Sequence, residues 1–422
     1  MYFFYFYPLG LDRRRTRFPV LSSFLMATMV VVFLWIRYFP DHGPCSPYEL
    51  VFYPGSGSPL TVLTAIFLHG SWMHLVGNLL YLQVFGPPLE DRLGHVKFLI
   101  YFLLLGVAGN LAHGLSSALE LLGQGGTGVM GASGAVAGLL AFSLVRFHNA
   151  RVEVAWWVLA PLGGQNKAGR SRIPLTAAVG FWLLLQVVQA LLAGETGASV
   201  SFGAHFGGFA LGLVLALMMG ELEAGRTEAV GARAERYFQD GQFHAAVGAW
   251  TEYLDRSPGD LTARLELARA QKLCRQEGKS VDHFRHVFHA LVSEGRIPDA
   301  LEVYDEASRG RGGHWLDPAG LAKVAYYKEK QLDYSGALDA YRQLYEAFPD
   351  HPEGQRALVR VIVLYHGKLV DPHQGRYWLR RAWNQMPPGS WRDYLEREFK
   401  LEEEQRGAVP ETPAEFHPLR ES

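Results

Sequence analysis

The distribution of apolar and polar positions divides the chain into two parts. Residues 1–222 contain long apolar runs with few charges, whereas from about residue 225 the composition is typical of a helical repeat. A helix that crosses a membrane needs about 20 mostly apolar residues, because the hydrocarbon offers no water to satisfy its backbone. The first part predicts six membrane spans, at residues 18–36, 72–87, 98–119, 130–145, 173–194 and 202–220.

Charge is distributed just as unevenly. Residues 1–222 hold 12 Lys/Arg and 9 Asp/Glu, about 9% of that part, whereas the other 60 charged residues make up about 30% of the remaining 200. This division excludes one uniform soluble globule and predicts a membrane domain joined to a soluble domain. A net charge of −1 offers no basic stripe for nucleic acid. Two cysteines, Cys45 and Cys274, predict neither a disulfide framework nor a cysteine metal site, and we expect no cofactor.

Basic residues predict the orientation of the spans. Short loops rich in Lys and Arg stay on the cytoplasmic side, and four arginines, at positions 13, 14, 15 and 17, precede the first span. With six spans, both termini are then cytoplasmic. The first span is too long for a signal-peptide core, and no transit signature is present. We therefore predict a multi-pass protein of a bacterial cytoplasmic (inner) membrane, in contact with membrane lipid.

A few polar residues interrupt the apolar spans, where each costs free energy unless it has a partner or a function. His74 and Asn78 lie near the start of span two, Ser133 at the start of span four, and His205 at the start of span six. These three spans run in the same direction, from outside to inside. Their polar residues are therefore expected at one depth, near the outer face, where they could meet in one cavity.

The four side chains form a complete set for acyl transfer. The Ser133 hydroxyl is a weak nucleophile until a base removes its proton, and His205 is the best candidate for that base. The N-terminus of the helix that begins at Ser133 favours a developing oxyanion. The Asn78 amide and a ring N–H of His74, one turn apart, can donate to the same oxygen. Because no carboxylate occurs at this depth, the prediction is a Ser–His dyad.

Glycines in spans four and six support this arrangement. Gly134 and Gly138 form one small-xxx-small pair, and Gly208 and Gly212 form another. Such pairs let two helices approach closely, although most of them serve packing alone. Close approach of these spans would bring Ser133 to His205.

These residues resemble the rhomboid family of intramembrane serine proteases. The likeness rests on three segments in the family's order: residues 69–78 followed by Phe85-Gly86 and Glu90–Gly94, the Gly-Ala-Ser-Gly of residues 131–134, and Ala204-His205 with Gly208 and Gly212.

The resemblance implies a role for each candidate. Ser133 is expected to be the nucleophile and His205 the base, with His74, Asn78 and the Ser133 backbone N–H as the oxyanion hole. Gly131 would shape the nucleophile loop.

Residues outside the catalytic set receive structural roles. By the same resemblance, His69 packs the first loop, while Glu90 is hydrogen-bonded or paired with Arg92. The family's Trp-Arg pair is missing from the first loop. Ala137 stands where some members place an aromatic that stacks on the catalytic histidine.

Three further polar or aromatic features of the first part lie outside the motifs. His113 could face the same cavity, but it is interpreted as an interfacial residue. Ser201 resembles a helix cap. Trp156-Trp157 marks an interfacial segment.

The second part resembles degenerate tetratricopeptide (TPR) repeats. Ala246, Ala300 and Ala337 recur at irregular spacing, each with an aromatic one turn later, as antiparallel helix pairs require. Such repeats bind peptides or proteins, so this domain is expected to recruit or regulate an unidentified partner, or only to stiffen or dimerise the protein. The predicted domains are 1–222, 223–402 and a disordered tail, 403–422.

The predicted fold class is all-α, with a six-helix rhomboid-like transmembrane bundle followed by a TPR-like soluble domain. The predicted function is that of an intramembrane serine endopeptidase that cleaves transmembrane segments of other membrane proteins. The alternative is a catalytically inactive rhomboid-like scaffold or chaperone. A transporter is a third possibility, but the predicted spans lack the intramembrane acidic residues expected of an ion pathway.

Overall fold

The computed structural model describes residues 3–13, 16–39, 46–55, 58–119, 128–159, 167–196, 201–309 and 315–399. The chain divides into two compact units, residues 1–229 and 230–422. Helices dominate both units, and this confirms the predicted fold class. The predicted tail, 403–422, lies outside the described residues.

Helices make up most of the first unit, and six of them coincide with the predicted spans. In chain order they are α1 (Val20–Tyr38), α2 (Thr61–Thr64), α3 (Trp72–Leu93), α4 (His95–Ala118), α5 (Ser133–Arg146), α6 (Leu175–Thr196), α7 (Phe202–Met218) and α8 (Glu221–Gln239), with 3-10 turns at Pro47–Leu50 and Ala65–Phe67. The six span helices are α1 and α3–α7, whose buried side chains, such as Phe98, Phe102 and Phe142, form one core.

Length and composition distinguish these helices from one another. Among the described residues, α1, α4 and α6 are long and apolar enough to cross a membrane, and α7 with α8, bent by 66°, supplies a fourth candidate span. The helix α5 is apolar but has only 14 residues. The helix α3 has 22 residues and carries Asn78 within it and Glu90, Asp91 and Arg92 near its end.

Glu90 connects the end of α3 to the start of α1. Its side chain is 1% exposed. The carboxylate accepts hydrogen bonds from the backbone N–H groups of Leu21 and Ser22, at 2.7 and 2.8 Å, and from the Ser22 hydroxyl at 2.6 Å. His95 Nδ1 lies 2.6 Å from Glu90 Oε1, the oxygen that also accepts from Leu21 N–H. A negative charge at a helix N-terminus is stabilising because free N–H groups and the helix dipole converge there. The expected hydrogen bonding is present, but Arg92 is not the partner.

Replacing Glu90 by alanine is expected to lower the free energy of unfolding by about 3 kcal/mol, because the first N–H groups of α1 lose a charged acceptor within the bundle. Thermal unfolding of the detergent-solubilised protein measures the change. Asp91→Ala is the matched control, since Asp91 bonds Thr16 at an exposed position. Equal losses for the two variants would contradict the proposed importance of Glu90.

A cluster of charged residues connects α3, α5 and the start of α8. Arg92 Nε lies 3.1 Å and Arg146 Nε 2.9 Å from Glu221 Oε2. Glu228 also pairs with Arg146 and with Arg13. Glu221 and Arg146 are 3% and 7% exposed, so each charge is compensated where water is scarce. The cluster holds the start of α8 against the end of α5, the helix that begins at Ser133.

A small antiparallel sheet, which the sequence patterns do not predict, accompanies the helices. Its strands lie in the order β1 (Phe3–Leu11), β2 (Arg151–Leu159) and β3 (Lys167–Pro174). The first comes from the start of the unit, whereas β2 and β3 lie between α5 and α6. The predicted interfacial segment Trp156-Trp157 lies in β2 and pairs with β1 and β3. Leu11, Val152 and Val154 extend the bundle core onto the sheet.

The second unit is a series of helices joined by short loops, most of three or four residues. After α8 come α9 (Phe243–Arg256), α10 (Leu261–Leu273), α11 (Glu277–Ser293), α12 (Ile297–Ser308), α13 (Pro318–Lys330), α14 (Tyr334–Ala347), α15 (Pro352–Gly367), α16 (Pro372–Gln385) and α17 (Ser390–Phe399). Ala246, Ala300 and Ala337 are at most 1% exposed and lie at the packed faces of α9, α12 and α14. Small residues at these positions let helices pack closely, as predicted for a TPR-like repeat.

Candidate active site

Ser133 is the first residue of α5, and the backbone before it takes a conformation that favours glycine. Gly131 has φ of +120°, and its N–H donates to the Ala65 carbonyl at 2.8 Å. A Cβ atom added to Gly131 would lie 2.6 Å from Cε1 and Nε2 of His74. Residue 131 therefore has to be glycine for two reasons, its positive φ and the close imidazole. Because Ser133 begins the helix, the backbone N–H groups of the first turn lie next to it without an acceptor within the helix.

His74 and Asn78 lie one turn apart on α3 and face this loop. Ser71 caps the helix by accepting a hydrogen bond from His74 N at 3.2 Å, and Asn78 Nδ2 donates to the His74 carbonyl at 3.2 Å. Asn78 is 5% exposed. Its Nδ2 would lie 3.7 Å from a Cβ atom on Gly131. The structure therefore brings His74 and Asn78 together beside the loop that leads to Ser133.

His69, for which the family resemblance implies a loop-packing role, packs next to His74. The two ring centroids are 5.2 Å apart with an interplanar angle of 68°. His69 is 5% exposed, and its position fixes the segment that precedes α3.

The helices α5 and α7 touch through their backbones at the predicted glycines. A Cβ atom on Gly208 would overlap the backbone of Gly134, and one on Gly212 would overlap the backbone of Gly138. A Cβ atom on Gly134 would lie 3.3 Å from the Ala204 carbonyl oxygen. The residue after Ser133 thus meets the residue before His205, so α5 and α7 are in backbone contact beside both candidate catalytic residues.

His205 on α7 is half-buried and bonded to a residue that sequence reasoning missed. Its Nδ1 lies 2.6 Å from Oε1 of Gln186 on α6. The signal was present in the sequence, because Gln186 is a polar residue within a predicted span. Within the described residues, no hydrogen bond joins Ser133 to His205. Catalytic hydrogen bonds are often long in an enzyme without substrate.

A second serine–histidine contact lies in the same unit. Ser201 Oγ is 2.7 Å from His113 Nδ1, and the same hydroxyl accepts a hydrogen bond from Ala204 N at 3.2 Å. Ser201 is therefore the N-terminal cap of α7, as predicted. His113 is 1% exposed, so it is buried in the bundle rather than placed at an interface.

The first unit of the chain matches a known protein family. Residues 56–222 match the family model described as Rhomboid domain. The chain contains a rhomboid domain. The rhomboid domain and the long apolar helices make it an integral membrane protein. The matched range includes the four predicted site residues and five of the six span helices.

Three curated relatives share the rhomboid name. Rhomboid-like protein 11, chloroplastic, of Arabidopsis thaliana is 36% identical over 94 residues, covering 22% of this chain and 29% of that protein. Rhomboid-like protease 3 of Toxoplasma gondii is 29% identical over 154 residues, covering 36% and 49%. RHOMBOID-like protein 5 of Arabidopsis thaliana is 29% identical over 163 residues, covering 39% and 45%. The chain spans less than half the length of each of these relatives.

One solved structure of TPR-like repeats is similar to part of this chain. The crystal structure of nearly identical TPR-like repeats from Podosopora anserina covers 42% of this chain and 96% of that chain at 15% identity. The TM-score of this match is 0.18.

Proposed function

We propose that this protein is an intramembrane serine endopeptidase that cleaves transmembrane segments of other membrane proteins. The observation that carries the proposal is the meeting of His74, Asn78 and Gly131 beside Ser133, where α5 is in backbone contact with α7. Ser133 acts as the nucleophile and His205 as the base. His74 and Asn78 supply the oxyanion hole.

We assign one or more of these groups to each step of acylation. His205 Nε2 takes the proton as Ser133 Oγ attacks the scissile carbonyl. The carbonyl oxygen gains negative charge, which the Asn78 amide, a His74 ring N–H and the Ser133 backbone N–H stabilise. His205 then gives its proton to the leaving amine, and the acyl group stays on Ser133. Water, activated by the same histidine, releases the acyl group and restores the serine.

The depth of the site determines which part of a transmembrane substrate we expect it to cleave. The four residues lie at the starts of α3, α5 and α7, near the outer face in an orientation with both termini in the cytoplasm of a bacterial cell. A peptide bond within a helix is inaccessible until the helix unwinds, so helix-breaking residues next to the cleavage site favour reaction. The TPR-like unit is then cytoplasmic, and we assign to it the binding of partners that regulate or supply the protease.

The inactive scaffold or chaperone is the competing function. It explains the bundle and the repeats but gives no reason for Asn78 and His74 to occupy a bundle where polar groups are costly. The two functions differ in whether a bound transmembrane partner is cleaved, because a scaffold leaves it intact.

The test uses the purified full chain in proteoliposomes with a single transmembrane segment as substrate. We expect cleavage within the outer half of that segment, unaffected by EDTA. A matched substrate in which leucines replace the helix-breaking residues should be cleaved more slowly. Binding of both segments with no product from either would support the scaffold and overturn the protease assignment.

A further inference from the structure

Two side chains of α6 lie against the candidate base. Trp182 and Gln186 are four residues apart, so they lie on one face of the helix. Gln186 is 8% exposed, whereas Phe181, Leu184 and Leu191 are 62%, 57% and 78% exposed. Gln186 therefore faces inward, toward His205, whereas these three apolar residues face outward.

The contact with Gln186 determines which nitrogen of His205 carries the proton. The two atoms, His205 Nδ1 and Gln186 Oε1, are 2.6 Å apart. An amide oxygen can only accept a hydrogen bond, so Nδ1 is the donor. The neutral imidazole then presents its lone pair at Nε2, the nitrogen that must remove the serine proton.

Trp182 also contacts the imidazole of His205. Its ring centroid is 6.0 Å from that of His205 at an interplanar angle of 43°. The indole also stacks on Phe209, one turn later on α7, with centroids 6.1 Å apart. An aromatic stacking on the histidine was expected in some family members at the position of Ala137, which is fully buried. In this chain the aromatic beside the histidine comes from α6.

We infer that Gln186 is a positioning residue of the Ser133–His205 dyad, and that Trp182 holds the ring which Gln186 orients. The inference rests on the proposed function. A carboxylate in the third position of a triad fixes the imidazole tautomer and also stabilises the imidazolium. The neutral amide of Gln186 fixes the imidazole tautomer but does little to stabilise the imidazolium. Gln186 thereby orients the dyad without placing an anion beside His205 Nδ1.

The first test replaces Gln186 by leucine, which removes the acceptor and keeps an apolar side chain of similar size. We expect kcat for the transmembrane substrate to fall about 10- to 100-fold with KM within about twofold, because the substrate contacts stay while the tautomer is no longer fixed. Gln189→Leu is the matched control, since Gln189 is an exposed glutamine on the same helix. Its kinetics should equal those of the wild type.

The second test replaces Gln186 by glutamate, which adds the missing charge. A carboxylate beside Nδ1 stabilises the protonated imidazole, so His205 loses its base function at a higher pH than in the wild type. The acid limb of the pH–rate profile should therefore move to higher pH. Among the described residues, His74 on α3 acts electrostatically on His205, and it is the same in both proteins. A structural role alone would not move this limb.

The outcomes separate this inference from the proposed function. Failure of the wild type to cleave would overturn both. Cleavage by the wild type, with Gln186→Leu equal to Gln189→Leu in kcat or with superimposable pH profiles for the wild type and Gln186→Glu, would overturn the positioning role alone. If the leucine variant unfolds, the glutamate variant decides by its pH profile.

Discussion

Substitution of Ser133 or His205 by alanine is expected to reduce the rate of transmembrane cleavage by at least about 10³-fold, because members of a catalytic pair act as a unit. Without the Ser133 oxygen no acyl bond can form, and without His205 the hydroxyl keeps its proton. The double variant should be no slower than either single one, for the same reason. Initial rates in proteoliposomes measure all three.

The pair Ser201 and His113 supplies the matched control for this prediction. It is also a serine–histidine pair in the same bundle, at 2.7 Å, but Ser201 caps α7 and no oxyanion donors converge on it among the described residues. Ser201→Ala is expected to cost about 1 kcal/mol of stability, the usual effect of losing a cap, and to change the rate only a few-fold. If Ser201→Ala abolished cleavage while Ser133→Ala did not, the assignment of the nucleophile would be wrong.

Substitution of Gly208 by leucine is expected to abolish both folding and cleavage. Any Cβ atom at this position would overlap the backbone of Gly134, and a backbone cannot move aside as a flexible side chain can. The helices α5 and α7 must separate, which costs more than the roughly 1–3 kcal/mol of an ordinary overpacked core. Separation also pulls Ser133 away from His205, so even a folded fraction should be inactive. Thermal unfolding and the cleavage rate report the two effects.

Gly180 on α6 provides the control for the glycine substitution. A Cβ atom added there meets no atom within 4 Å, so Gly180→Leu should leave stability and activity close to those of the wild type. Gly208→Ala should lie between the two leucine variants. A fully active Gly208→Leu protein would contradict the close packing of α5 on α7.

Local patterns in the sequence are sufficient to locate most of the bundle. An apolar run of about 20 residues has few structures open to it other than a helix, so all six predicted spans coincide with helices. The glycine pairs predict the α5–α7 contact because close backbone approach requires the absence of a side chain at those positions. His74 and Asn78 share a helix face, so their spacing alone predicts that they act together.

Contacts between distant segments explain what the sequence does not predict. The strand β1 pairs with β2 about 150 residues later, and no local pattern indicates such a partner. Glu90 was expected to hydrogen-bond or to pair with Arg92, yet Arg92 pairs with Glu221 across the unit. Gln186 is visible in the sequence as a polar residue in a span, but only the packing of α6 against α7 gives it His205 as a partner.

The most direct test of the central claim is to identify the residue that a mechanism-based serine hydrolase probe modifies. The full chain in detergent or proteoliposomes is treated with a fluorophosphonate or an isocoumarin, digested and analysed by peptide mass spectrometry. The proposed mechanism predicts one modified serine, Ser133, with labelling lost in His205→Ala and retained in Ser201→Ala. Modification of Ser201, or no modification of a folded wild-type protein that binds a transmembrane segment, would contradict it.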